Sequence, residues 1–184
     1  MPDTHDTTGG QAAALRLTTS AHRRLDGTTP SRDLADTVYG HIRLIQTITR
    51  TAAGDADRAR LAAVGSEAAS FAGWLAWDEG DHGSARSWYG GAVKAARTAG
   101  NALLTAYQIG TLAQFEAHAG NGVEALNLAR RARRAGLAHL LQCGAVQAQR
   151  VTEARSEAAV GGDGRRGAPC LAELVANCWL ISGR

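Results

Sequence analysis

Apolar residues recur along this chain at spacings of three and four, the signature of helices that bury one stripe. Between residues 33 and 51 the stripe is Leu34, Val38, Ile42, Ile45 and Ile48. After Ala53-Gly54-Asp55 a second stripe passes through Leu61, Val64, Ala68, Phe71, Ala72, Leu75 and Ala76 to Glu79. Gly80-Asp81 gives way to Ala85, Trp88, Tyr89, Ala92 and Ala96, and Gly100-Asn101 to a helix over 102–119. Gly120-Asn121 precedes the last clear stripe, Ala125, Leu128, Ala129 and Ala132. Ahead of these helices, residues 1–12 are rich in Thr, Asp and Gly without any period, and a disordered lead-in is expected there. A short helical piece is expected over 13–25, broken by Asp26-Gly27-Thr28-Thr29-Pro30, with Ser31 as the next N-cap. The β-branched residues nowhere gather into alternating runs, so the predicted fold is all-α.

The glycine corners are themselves periodic. Gly80 and Gly120 stand 40 residues apart, and each is followed five residues later by an alanine, Ala85 and Ala125. Gly162-Asp163 comes 42 residues after Gly120, behind Ala158-Ala159-Val160. It reads as the corner of a third, degraded unit whose second helix is displaced to 169–180. Self-similarity at this period marks a helical repeat array, in which each helix pair exposes an apolar face that its neighbours cover.

Residues 66–99 resemble the tetratricopeptide repeat. Gly73 is the small residue late in the first helix, Gly80-Asp81 the turn, and Ala85, Tyr89 and Ala92 the signature of the second helix. Residues 106–139 match more weakly through Ala113, Gly120-Asn121, Ala125 and Ala132, with Ala129 in place of the aromatic residue. The family's first-helix tryptophan and closing proline are absent from both units. The units also exceed the family's period of about 34 residues, so longer helices or loops are expected. The resemblance implies a short right-handed α-solenoid over 13–163, with 164–184 left as an irregular or partly helical tail. Over roughly 23–163, Arg24-Leu25-Asp26, the run from Phe71 to Asp78 and Gly80-Asp81-His82 also resemble the repeat region of helix-turn-helix transcriptional regulators from high-GC bacteria. That resemblance implies a sensor or dimerisation module. About twenty residues precede the repeats, too few for a helix-turn-helix head, so DNA is expected only through a separate partner or a missing head domain.

In tetratricopeptide proteins the first helix of each pair makes the inner wall. Carried onto this chain, the wall positions are Glu67, Ser70, Trp74, Trp77 and Asp78, then Tyr107, Gly110, Gln114, Ala117 and His118. Ser70, Trp74, Trp77, Asp78, Tyr107, Gln114 and His118 are the candidate ligand or partner contacts among them. Trp74 and Trp77 share one side of a helix. Large rigid rings with an N–H donor suit a binding hot spot, and they equally suit a core between long helices.

Composition narrows the chemistry further. The 184 residues fit one domain, 45% of them are hydrophobic and only 5% aromatic, as closely packed, alanine-rich helices require. Twenty Lys+Arg against 17 Asp+Glu leave a charge of +3, too small to imply nucleic acid, and Lys94 is the only lysine. Arg130, Arg131, Arg133 and Arg134 lie opposite the last apolar stripe, as a solvated face or as a face for an anionic partner or nucleic-acid phosphates. Gly162-Asp163-Gly164-Arg165-Arg166-Gly167 spells a dinucleotide fingerprint without the preceding strand, and reads as a loop. Cys143, Cys170 and Cys178 form no CxxC, and no histidine stands at zinc spacing from them, so buried or free thiols are expected and no metal. The motifs of zinc proteases, serine hydrolases and phosphate-binding loops are absent, and the six histidines are scattered. The start of the chain has neither a basic nor an apolar signal region, and no apolar run approaches membrane-spanning length, so a cytoplasmic location is expected.

These readings converge on a non-catalytic module without cofactor that docks a protein, a peptide or itself in a transcriptional regulatory system. An alternative is a small-molecule effector domain, with Trp74, Trp77 and Tyr107 around the effector; direct nucleic-acid binding is a third. An exposed apolar strip around Leu171, Leu174, Val175 and Leu180 is expected to pair with another copy.

Overall fold

Six helices occupy the described part of this computed structural model, residues 4–137, with side chains described from Gly9 onward. They are α1 (Thr4–Leu25), α2 (Ser31–Thr51), α3 (Asp55–Asp78), α4 (His82–Thr98) and α5 (Ala102–His118), followed by α6 (122–137). No strand occurs among the described residues. The third unit at Gly162-Asp163, the 162–167 loop, the three cysteines and the tail 164–184 with its strip at Leu171, Leu174, Val175 and Leu180 lie outside them.

The corners explain the length of the period. Gly80, Gly100 and Gly120 hold φ of 77°, 66° and 82°, a left-handed conformation that disfavours any Cβ. At the first, the Gly80 N–H donates to the Trp77 carbonyl (2.9 Å) and the Asp81 N–H to that of Ala76 (2.8 Å), closing the end of α3. Gly120 and Asn121 repeat the pattern on Ala117 and Glu116. The side chains of Asp81 and Asn101 then accept from the N–H groups of Ser84 and Leu104 at 3.0 and 2.9 Å, starting α4 and α5. A 17-residue helix plus a three-residue corner gives 20 residues per helix and 40 per pair.

Two elements differ from the sequence reading. α1 begins at Thr4, where a disordered lead-in to residue 12 was expected. Ala12 and Leu15 are buried against α2 and α3, and a helix anchored there extends at little further cost, because nucleation is the expensive step. Ser31 is not the N-cap of α2; that position is Pro30. Its hydroxyl instead donates to Asp78 Oδ2 at 2.6 Å, tying the start of α2 to the end of α3.

α3 is the centre of the assembly and touches α1, α2, α4 and α5. Its surface is small or apolar on most sides: Ser66, Ala68, Ala69, Ser70, Ala72 and Gly73 are all buried. The α2 stripe of Leu34, Val38, Ile42 and Ile45 packs on Leu61, Val64, Phe71 and Leu75. On the other side of α3, Ser66 Oγ donates to the Ala92 carbonyl at 2.9 Å and joins it to α4. Two further clusters, around Phe115 and around Ile109, carry the core through α5 to Leu128 of α6.

A buried polar contact joins α1 to α2. Thr19 Oγ1 lies 2.9 Å from His41 Nε2 and 3.2 Å from the Leu15 carbonyl, and the His22 ring meets that of His41 edge-on at 5.6 Å. Burial, and then the neighbouring His22, hold the His41 pKa below its ordinary 6.5. The unfolded chain therefore takes up this proton first. Stability is complete above pH 6.5 and is lost as pH falls from there through the folded-state value. Glu116, whose pKa the Arg86 guanidinium lowers, adds a further loss only below its ordinary 4.5. Melting temperature is thus expected to fall as pH drops below about 6.5, before the carboxylate segment begins, and His41→Asn should flatten that first segment while leaving the lower one intact. An unaltered slope in His41→Asn would contradict this assignment.

Candidate functional site

α3 and α5 face each other across a groove of about 560 Å³. Ser70 and Phe71 of α3 and Tyr89 of α4 form its floor; all three are buried. Trp74 rises from α3 and Tyr107 from α5, the first 40% and the second 53% exposed. Gly110, Thr111 and Gln114 continue the α5 wall, and Arg23 and Asp26 close the end nearest α1. Four of the sequence-derived candidates, Ser70, Trp74, Tyr107 and Gln114, therefore meet in one concave site.

The side chains differ in what they offer. Burial, and then the neighbouring Tyr107, push the Tyr89 hydroxyl up to about 12, so it remains a phenol and a proton donor at neutral pH. The Thr111 hydroxyl donates to the Tyr107 carbonyl and the Ser70 side chain is almost fully enclosed, so both contribute shape more than hydrogen bonds. Arg23 is fixed twice: its guanidinium donates to the Glu67 carbonyl at 3.1 Å and lies 5.8 Å from the centre of the Phe71 ring. Cation, phenol, indole and primary amide thus line a single trough.

The other candidates lie beside it. Trp77 is half-buried and packs edge-on against Trp74 (5.6 Å), Phe115 (5.8 Å) and His118 (5.0 Å). It supports Trp74 rather than lining the groove. His118 Nδ1 donates to the Gln114 carbonyl at 2.8 Å. Asp78 is held by Ser31, and Glu67 pairs with Arg16 of α1 at 3.6 Å; its pKa is raised by burial, which the arginines partly offset.

Arg130, Arg131, Arg133 and Arg134 are all exposed on α6. Only Arg131 and Arg134 turn toward a shallow recess, where Arg97 of α4 joins them. Arg23, Asp26, Phe71, Tyr89 and Thr111 of the main groove were not anticipated. Arg23 on α1 and Asp26 in the turn after it stand outside the repeating units, and Phe71 and Tyr89 have the spacing of core residues.

Among the described residues no three His, Cys, Asp or Glu side chains gather as metal ligands, and no helix is long and apolar enough to cross a membrane. No protein-family model, no curated protein and no solved structure matches the chain.

Proposed function

We propose that this chain is a non-catalytic recognition module that takes up an extended peptide segment along the α3–α5 groove. The reading rests on one observation: an exposed indole and an exposed phenol stand on facing helices above a buried floor. Aromatic rings in that setting give large contact area at low entropic cost, which is the profile of hot spots. The cation of Arg23 and the amide of Gln114 would orient a peptide through its carboxylates and main-chain amides. Periodic glycine corners favour a tetratricopeptide-like array, and the likeness of the Phe71 to Asp78 run to bacterial regulators favours a place in transcriptional control.

The test is selection from a random peptide display library against the full chain. Enriched peptides should lose at least tenfold in affinity in Trp74→Ala and in Tyr107→Ala, about 1.4 kcal/mol or more each. Arg130→Ala, remote on α6, should bind as the parent does. Peptides indifferent to both aromatic substitutions would sink the reading, as would a library that yields none.

A further inference from the structure

A second concavity lies on another side of α3. Loops of three residues on either side of α3 make α2 and α4 antiparallel to it, and hence parallel to each other. Among the described residues the backbones of α2 and α4 do not touch. Tyr39 and Trp88 bridge them, their rings stacked 5.2 Å apart at an angle of 14°. From that closed end a slot of about 500 Å³ runs toward the C-terminal ends of both helices. Its floor on α3 is made of Leu61 and three small residues, Ala62, Gly65 and Ala69. Ile42 and Ile45 line one wall; Trp88, Gly91 and Ala95 line the other.

The polar lining has a definite place. Thr49 and Thr98 both line the slot, yet their hydroxyls donate to the Ile45 and Lys94 carbonyls of their own helices. Gln46 adds an amide, and Arg50 and Lys94 remain as the charged lining groups, Arg50 at the open end and Lys94 midway along the slot with a side chain long enough to reach toward it. Two carboxylates stand near that end, Asp55 and Asp57 of α3. Each is matched by its own arginine, Arg58 at 2.6 Å and Arg60 at 2.9 Å. The mouth therefore carries a net positive charge above an apolar trough. Gly91 adds to this. A glycine inside a helix costs about 1 kcal/mol relative to alanine, and a Cβ here would meet nothing within 4 Å. No neighbour in the described structure requires it, and what it leaves open is the slot.

We propose that this slot binds a single-chain alkyl carboxylate, with the chain along α3 and the head group between Arg50 and Lys94. The volume lies in the range of small-ligand sites. Ile42 to Thr49 spans about 10 Å at 1.5 Å per residue, which suits a chain of medium length. An extended alkyl chain follows two parallel helices; a cationic mouth selects the anion.

Calorimetric titration of the full chain with decanoate tests the assignment, with decanol and decyltrimethylammonium for comparison. Decanoate should bind at a ratio of one, with the cationic amphiphile at least tenfold weaker. Arg50→Gln with Lys94→Gln should erase that preference while decanol binds as before. Gly91→Leu, which fills the slot from a position with open space, should abolish binding of all three. Gly90→Leu, directed at a different recess, should leave it unchanged and serves as the folding control. Absence of decanoate binding, equal binding of anion and cation, or binding that survives Gly91→Leu overturns the proposal. So does a dimer that Gly91→Leu dissolves and decanoate does not, since the slot would then be a subunit contact.

Discussion

Phe115→Ala is expected to destabilise the chain by about 3–5 kcal/mol, the range for removing a wholly buried aromatic ring. The side chain has no exposed surface and lies where three helices meet. Tyr89 and His82 of α4 approach within 5.5 and 5.9 Å of its ring centre and Trp77 of α3 within 5.8 Å. Above it the Arg86 guanidinium stands 5.3 Å from the ring centre and is itself locked to Glu116, at 2.5 Å from Nε and 2.9 Å from Nη2. Asn121 adds a third bond to the same carboxylate at 2.6 Å. Such walls are rings and ion pairs fixed on separate elements, so the cavity has little freedom to collapse. A domain of ordinary stability holds about 5–15 kcal/mol, so this one substitution should remove a large share. Urea denaturation measures it. Phe115→Leu, which keeps most of the volume, should cost less than half as much. A loss under about 2 kcal/mol for the alanine variant would mean that the seam between α4 and α5 closes over the gap, contrary to the packing described.

Phe115 also marks where sequence reading stopped. The corners were legible, because a glycine followed by Asp or Asn is demanded by the backbone itself: a left-handed residue, then a side-chain cap. The helices between them followed from spacing. Phe115 did not, since its importance depends on the angle at which α5 crosses α3 and α4, and no local pattern records that angle. Trp74 and Trp77 show the same limit. Periodicity places them on one side of α3, but which ring is exposed is decided by Phe115 and His118 of another helix. Ser70 lines the groove, yet its near-complete burial is not recorded in the spacing of its own helix. Arg23 and Asp26 could not be found from the repeat at all, because α1 and the turn after it lie outside it. The Arg86–Glu116 pair joins residues 30 apart in sequence, and neither is unusual locally.

Gly73→Val is expected to cost about 3 kcal/mol, the upper part of the range for overpacking, and to lower the melting temperature by about 6–12 °C. Two effects oppose each other at any glycine inside a helix. A side chain lowers the entropy lost on folding, worth up to about 1 kcal/mol for alanine and less for a β-branched residue. Against that stands the space available. At Gly73 a Cβ would sit 3.0 Å from three atoms of the Tyr89 ring, inside the usual contact distance. That ring is 2% exposed and lies against Phe115, so it has nowhere to move, and two further methyl groups deepen the conflict. Sterics win there. Gly110, also inside a helix, provides the contrast: a Cβ at that position meets nothing within 4 Å. Gly110→Ala should therefore stabilise by up to about 1 kcal/mol while narrowing the groove between α3 and α5 by one methyl group. Thermal melts of the two variants should move in opposite directions. If Gly73→Val melted at or above the parent temperature, Tyr89 would have to be free to swing away, and the close approach of α3 to α4 would not be the fixed floor on which the groove is built.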